Sequence, residues 1–338
     1  MSEIFFGGPD RPPRLLRDVL ESYVMAVPPG GRIDWVTYYF RDRRLAQALI
    51  EASDRGVGVT LHLEGRHRRA SVNREVLAML SSHGLGGGLH VHRRRRMASM
   101  LDPQVHAKIY AFSHPAPVVL VGSFNPSGND PEDPEVIAEI GDQDRGHNML
   151  IAYRDPAIVH MLQRQVRSLG RTFDRFRMRR TETIGRTSFY FYPRLHTGII
   201  DAHLALLGEG TRIFGAVSHL KPGALPDALS AAVGRGAAVE LIVHDTERRV
   251  SEAAIANLRS TGLRIRRYVR PDALPLHAKF LLFDVAGERT AWFGSFNLNP
   301  SSRYLNHELL VHSADQCLWE NLFHRYQEIA AELQSCRL

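Results

Sequence analysis

The 338-residue sequence contains only two cysteines, Cys317 and Cys336. So small a number excludes a disulfide scaffold and a zinc module built from several cysteines. The sequence also lacks any run of about 18 or more apolar residues, so we expect no transmembrane helix. Its first residues show no basic segment followed by an apolar stretch, which argues against a secretory signal. We therefore expect a cytoplasmic protein whose contact with a membrane, if any, is peripheral.

The composition is that of a globular protein with an anionic partner. Hydrophobic residues make up 44% of the chain and charged residues 23%, which predicts a packed core. The length suits two domains or two fused halves. The excess of basic residues gives a net charge of +7. This charge favours nucleic acid, phospholipid headgroups or another phosphate ester as partner, without choosing among them.

An internal repeat dominates the sequence. The segment from Arg32 to Leu63 aligns without a gap with the segment from Arg212 to Val243. Each predicts an apolar strand, a helix with Ala and Leu at helical spacing, a stop at Arg-Gly, and a second apolar strand. The glycines of the two stops, Gly56 and Gly236, suit a left-handed helix cap. The pattern is a βαβ unit written twice.

The repeat predicts the fold class and the domain organisation. We expect an α/β protein of two fused α/β/α halves related by a pseudo-two-fold axis, with the active site at their interface. Each half should hold a mostly parallel mixed sheet flanked by helices. The N-terminal half is expected over residues 1–175 and the C-terminal half over residues 186–338, with a basic boundary run between them. Two stretches in the first copy have no counterpart in the second, and both are expected to be surface loops: an Arg-rich one before His106 and an acidic one from Asp130 to Asp144.

Polar residues recur at matching places in both copies. VHAKIYAF in the first copy pairs with LHAKFLLF in the second, and each is followed by Gly-Ser-Phe-Asn. Strand alternation would place the His and Lys of each copy on one side, and the Ser and Asn likewise. Brought together across the dyad, the two sets would share one cleft. The residues are His106, Lys108, Ser123 and Asn125 in the first copy and His277, Lys279, Ser295 and Asn297 in the second.

This set of side chains suits the cleavage of a phosphodiester. One imidazole can attack phosphorus and form a phosphohistidine. The other can protonate the leaving oxygen and then activate water or an alcohol. The lysines and asparagines can hold the non-bridging oxygens, where charge must be stabilised. Because fixed cations are present for this purpose, we expect neither a metal nor a cofactor.

Here the sequence resembles the phospholipase D superfamily, which is marked by two copies of H-x-K-x4-D followed by G-S/G-x-N. The second copy is complete and includes Asp284, whereas Ser113 stands at the matching position of the first. A downstream acidic residue often orients the histidine in this family. Glu308 matches it in the second copy, and Asn148 is aligned with it in the first. The resemblance implies that Asp284, Glu308 and Asn148 belong to the catalytic set.

The same alignment predicts how the two histidines divide the reaction. A carboxylate beside an imidazole favours its charged, proton-donating form. With Glu308 expected beside His277, His277 should be the general acid. With neutral Asn148 expected beside His106, His106 should be the nucleophile, which agrees with the more frequent order in the family.

The substrate class stays open at this point. Two stretches, one around GSFNLNPSSRYLNHELLV and one around TYYFRDRRLAQALIEASDRGVGVTLHL, resemble bacterial cardiolipin synthases and related phospholipid enzymes. Lipid phosphodiesters are therefore the first expectation. The alternatives are an endonuclease or nucleic-acid phosphodiesterase with the same two-histidine chemistry, and a non-catalytic binder of phosphate esters. We expect a monomer. Clusters of arginine residues could bind an anionic membrane surface or nucleic acid. They comprise Arg66, Arg68, Arg69, Arg93 to Arg96, Arg175, Arg177, Arg179 and Arg180.

Two further clusters are interpreted conservatively. His90 and His92 share a strand face, but no acidic or cysteine partner lies nearby in sequence, so a metal site is not favoured. Tyr38, Tyr39 and Phe40 end the first strand and are expected mainly in the core. Strand ends in α/β sheets nevertheless often line the cleft.

Overall fold

The computed structural model describes residues 3–67, 71–93, 102–127, 133–169 and 181–335. Several sequence features lie outside these ranges. They are Arg68, Arg69, Arg94 to Arg96, most of the basic boundary run, the start of the acidic insertion at Asp130, and Cys336.

The chain divides into two compact units. Unit 1 comprises Met1–Arg177 together with Asn306–Glu308, and unit 2 comprises Met178–Leu305 and Leu309–Leu338. A short piece of the second repeat therefore belongs to the first unit. This piece contains Glu308, one of the expected catalytic residues.

Unit 1 is built on a seven-stranded sheet with the strand order β1-β8-β7-β6-β2-β3-β4. The strands are β1 (Glu3–Phe6), β2 (Arg32–Thr37), β3 (Gly58–Glu64), β4 (Leu89–His92), β6 (Ile109–Phe112), β7 (Val118–Gly122) and β8 (Met149–Tyr153), and a two-residue strand, β5 (Gln104–Val105), lies outside this order. The helices are α1 (Leu15–Ala26), α2 (Arg43–Asp54), α3 (Arg74–His83), α4 (Pro134–Ile140) and α5 (Pro156–Ser168), with a 3₁₀ turn at Gly84–Gly87.

Unit 2 is built on a sheet with the strand order β13-β12-β11-β14-β15-β16-β10-β9. Its strands are β9 (Thr181–Ile184), β10 (Thr187–Tyr192), β11 (Thr211–Val217), β12 (Ala238–His244), β13 (Arg264–Tyr268), β14 (Lys279–Val285), β15 (Glu288–Gly294) and β16 (Asn306–Ser313). Its helices are α6 (Ile199–Ala205), α7 (Ala224–Gly234), α8 (Glu252–Ser260), α9 (Pro300–Tyr304) and α10 (Gln316–Ser335).

The α/β class, the repeat and the mixed sheets are confirmed, but parallel pairing is less extensive than expected. In unit 1 it joins β2, β3 and β4, while β6, β7, β8 and β1 pair antiparallel. Unit 2 repeats this division, with β11, β12 and β13 parallel and β14, β15 and β16 antiparallel. For β6 with β7 and for β14 with β15, the reason is the short link that follows each His-x-Lys segment, because such a link can join only neighbouring antiparallel strands.

The βαβ unit has the same register in both copies. Arg32 is paired with Gly58 in unit 1, and Arg212 with Ala238 in unit 2. In both copies the helix ends at an arginine followed by a glycine with positive φ, +88° at Gly56 and +98° at Gly236. That conformation is strained for a residue with a Cβ, which explains the Arg-Gly stop.

Each unit has its own apolar core. In unit 1, Trp35, Tyr110 and Phe112 pack edge to face beneath α1 and α2. The acidic insertion of unit 1 forms a helix, α4, and is not only the expected surface loop, because Val136 and Ile140 pack on Val72. Within the described residues, no helix is both long enough and apolar enough to cross a bilayer.

Candidate active site

Strand pairing places Glu308 beside the first His-x-Lys segment. Strand β5 pairs in parallel with the start of β16, with Gln104 opposite Asn306 and Val105 opposite His307. The main-chain N–H of His106 continues the ladder by donating to the carbonyl of His307 at 3.0 Å. The next residue on each strand is therefore His106 on one and Glu308 on the other.

The side chains of these two residues form a buried ion pair or charge-assisted hydrogen bond. Nδ1 of His106 lies 2.8 Å from Oε1 and 2.9 Å from Oε2 of Glu308. The Glu308 side chain is fully buried, and Asn306 donates to its Oε1 at 3.1 Å. With Nδ1–H directed at the carboxylate, Nε2 of His106 carries the lone pair. The sequence alignment placed Glu308 beside His277, whereas in the structure its carboxylate contacts His106.

Lys108 is fully buried beside this pair. Its Nζ donates to the main-chain oxygen of His106 at 2.5 Å. Burial lowers the pKa of Lys108 to about 7, and the nearby Glu308 carboxylate opposes that shift. A lysine with such a pKa changes its charge near neutral pH, which is typical of a functional position.

Tyr38 also lies in this region. From the sequence it was expected mainly in the core, although a position in the cleft was open as well. Its ring centroid lies 5.1 Å from that of His106, and Nζ of Lys108 lies 5.7 Å from the centre of the tyrosine ring. Its hydroxyl accepts a hydrogen bond from Gln104, and its carbonyl is contacted by His67 and Asn73. Tyr38 thus contacts both functional side chains of the first motif. The only signal in the sequence is its position at the end of a βαβ strand.

The serine and asparagines of the first motif hold the end of the sheet together. Ser123 donates to Oδ1 of Asn148 at 3.1 Å and accepts from the N–H of Met149. Oδ1 of Asn125 accepts the N–H of Tyr39 at 3.4 Å. Within unit 1, Asn148 therefore contacts the motif serine.

The second motif has a matching local arrangement in unit 2. Lys279 begins β14 and donates to the carbonyl of His277 at 2.6 Å, as Lys108 does with His106. Ser295 accepts the N–H of Leu309 at 3.0 Å, as Ser123 does with Met149. Asn297 is buried, and its Oδ1 has no hydrogen-bond partner among the described residues.

The His-x-Lys residues lie slightly ahead of the strands that were predicted to contain them. His106 and Lys108 precede β6, and His277 precedes β14. The backbone of His106, Lys108 and His277 therefore lies outside the strands that follow these residues.

The structure does not bring Asp284 to the motif. Asp284 lies five residues beyond Lys279 along β14, roughly 17 Å away at about 3.3 Å per residue. It pairs with Arg212 at 2.7 Å and accepts the N–H of Gly287. Its expected catalytic role is therefore corrected to a structural one. At the matching place in unit 1, Ser113 accepts the N–H of Arg32 at 2.7 Å, so the missing Asp removes no group from the motif.

A histidine cluster lies on the neighbouring strands of unit 1. Nδ1 of His62 is 2.8 Å from Nε2 of His92, and the His62 ring stacks on His90 at 4.5 Å. Burial, reinforced by the other histidines, lowers the pKa of His62 to about 2 and that of His92 to about 4. Both imidazoles are therefore neutral at physiological pH.

Comparison with known proteins agrees with this arrangement of motifs. The family model described as "Cardiolipin synthase, PLD-like domain" matches residues 30–165 and 205–334. No match was found among curated proteins.

Two solved structures share the fold. Phosphatidylserine synthase from Haemophilus influenzae Rd KW20 superposes with a TM-score of 0.68 at 12% identity, over 97% of this chain and 86% of that one. Polyphosphate kinase from Porphyromonas gingivalis gives 0.64 at 15% identity, over 96% of this chain and 46% of that one. This chain thus spans about half the length of the kinase. At these identities the likeness concerns the fold alone.

The family model covers both copies of the repeat, each with its His-x-Lys segment and its Gly-Ser-Phe-Asn turn. Together the two matches take in most of the chain. The chain therefore belongs to the phospholipase D-like family.

Proposed function

We propose that the protein is a phosphodiesterase or phosphatidyltransferase that acts on phospholipid phosphodiesters through a covalent phosphohistidine. The observation that supports this most directly is the pair of His106 and Glu308 with Lys108 buried beside it. A carboxylate on Nδ1 stabilises the positive charge that an imidazole gains when its Nε2 forms a bond to phosphorus. His106 is therefore the proposed nucleophile, now for a reason different from the one the sequence offered.

The proposed reaction has two displacements. Nε2 of His106 attacks phosphorus, the bond from phosphorus to the leaving oxygen breaks, and His277 gives that oxygen a proton. Water or an alcohol then attacks phosphorus, His277 accepts its proton, and the P–N bond breaks. Lys108, Lys279 and the motif asparagines would stabilise the charge on the non-bridging oxygens. With two lysines for this purpose, we expect turnover without added metal.

The lipid substrate is supported by the family description and by the sequence around the second motif. The matching family model is named for cardiolipin synthase, and one of the structural relatives is a phosphatidylserine synthase. The segment GSFNLNPSSRYLNHELLV carries the same resemblance.

The test is turnover by purified protein in the presence of EDTA. The substrates are phosphatidylglycerol vesicles, single-stranded DNA and bis(p-nitrophenyl) phosphate, offered to wild type, His106→Ala and His277→Ala. His160→Ala and His324→Ala are the matched controls, because both histidines are exposed helix residues, one in each unit. Lipid turnover that is lost in both motif variants and kept in both controls supports the proposal.

Other outcomes would redirect it. DNA cleavage with the same dependence would make the protein a nuclease, and phosphate-ester binding without turnover would make it a binder. Rapid acid-free quenching and mass spectrometry should locate the phosphoryl adduct on His106. An adduct on His277 would reverse the proposed roles.

A further inference from the structure

Unit 2 contains an apolar groove beside its motif. The groove has a volume of about 100 Å³ and lies between the start of α7 and helix α9. Its lining is mostly hydrophobic and includes Ala224, Leu225, Pro226, Phe296, Leu298 and Pro300.

Two basic side chains lie at the groove. Arg303 also lines it, but its guanidinium is paired with Asp201 and Thr197. Lys221 also lines the groove, and it forms no ion pair with any residue that the structure describes. An occupant that combines an apolar body with a negative charge would satisfy both features.

The groove adjoins the second motif. Phe296 lies between Ser295 and Asn297 in the chain, and its side chain forms part of the groove wall. Phe296 and Leu298 also line a second, much smaller cavity of about 10 Å³, whose walls include Lys279 and Asn297. A ligand in the groove would therefore lie one layer of side chains away from the motif.

The two copies of the repeat differ at this place. Gly223 and Ala224 of the second copy align with Arg43 and Arg44 of the first. Gly223 has φ +146° and its missing Cβ faces Pro300, so small residues keep the groove open between α7 and α9. The small residues that border the groove are thus specific to the second copy of the repeat.

We propose that this groove binds one acyl chain of the phospholipid whose phosphodiester is cleaved at the motifs. The inference rests on the proposed function for the identity of the lipid. Its apolar lining does not suit a polynucleotide, whose backbone needs several cations. With an acyl chain in the groove, the phosphate of the lipid would lie on the side of the motif. Lys221 would then lie near the anionic lipid.

The test compares two soluble substrates, dihexanoyl and dioctanoyl phosphatidylglycerol, below their micelle concentrations. Each methylene that enters an apolar site should improve kcat/KM about fourfold, so dioctanoyl should be preferred about tenfold or more by wild type. Ala224→Trp should fill the groove and bring the ratio of the two kcat/KM values close to one. Ala231→Trp is the matched control, because Ala231 is an exposed residue of the same helix outside the groove. It should keep the wild-type ratio.

A direct binding measurement separates this proposal from the proposed function. Fluorescence titration with cis-parinaric acid is done on wild type, Ala224→Trp and Ala231→Trp. Weakening of about tenfold in Ala224→Trp alone supports the groove even if no lipid is turned over, and in that case only the proposed function fails. Equal probe binding by Ala224→Trp and wild type, or a chain-length preference that persists in Ala224→Trp, would overturn the groove as an acyl site.

Discussion

Replacing Glu308 with glutamine removes the negative charge that faces His106 while nearly preserving the shape of the side chain. The two groups approach to 2.8 Å, which puts the centres of charge about 4 Å apart once His106 becomes cationic. At an effective dielectric constant of about 20, that attraction is about 4 kcal/mol. Because about 1.4 kcal/mol corresponds to a factor of ten, Glu308→Gln should lower kcat about a thousandfold.

The assay is release of p-nitrophenol from bis(p-nitrophenyl) phosphate, with the phosphoenzyme quantified after rapid quenching. Asp284→Asn is the matched control, since it also neutralises a buried carboxylate, one that pairs with Arg212 away from the motif. It should lower the melting temperature and leave kcat near the wild-type value. A Glu308→Gln protein that keeps kcat within threefold of wild type, or an Asp284→Asn protein that loses as much as Glu308→Gln, would refute the reasoning.

Three further perturbations test the surroundings of the site. Because the pKa of Lys108 is lowered to about 7, kcat/KM should fall about tenfold per pH unit above neutrality as its proton is lost, and a profile flat to high pH would contradict this. Loss of an interaction worth about 0.5–2 kcal/mol in Tyr38→Leu should lower kcat/KM by about 2- to 30-fold and move that fall to lower pH. Tyr38→Phe keeps the ring and should behave like wild type in the same pH series. The lowered pKa values of His62 and His92 mean that the unfolded chain binds more protons than the folded one below the ordinary histidine pKa, so stability is lost as pH falls. Urea unfolding should show His62→Leu losing less stability than wild type on acidification, by about 1.4 kcal/mol per pH unit, and equal slopes would contradict it.

The fold was predictable because the sequence patterns that indicate it are local and occur in both copies of the repeat. Periodicity and the Arg-Gly stops give the βαβ units, and the register of Arg32 with Gly58 recurs in the second copy. The antiparallel half of each sheet was harder to predict. Its strands are short apolar runs joined by irregular segments, and such runs do not reveal their direction.

The side-chain partner of His106 could not be predicted from the alignment. Aligning Glu308 with its own copy assumes that a residue acts within its repeat. Strand β16, however, begins in unit 1, where it pairs with the two residues of β5. A pairing so short, between residues about 200 positions apart in the chain, has no periodic signature. Asp284 is the opposite case, because it is close to Lys279 in sequence and distant from it in space. Both residues lie on β14, and five residues of extended strand separate them.

The hydrogen-bond partners of position 148 explain why an uncharged residue, Asn148, stands there. Oδ1 of Asn148 accepts from Ser123, and its Nδ2 donates to the carbonyl of Gln143 at 3.2 Å and to the side-chain oxygen at 3.3 Å. A carboxylate there would turn both contacts with Gln143 into approaches between oxygens in a site that is 1% exposed. Leaving such buried groups unsatisfied costs about 1–3 kcal/mol each. The first copy therefore keeps an amide where the second has Glu308, because the surroundings of position 148 offer acceptors, whereas Glu308 faces the donors of His106 and Asn306.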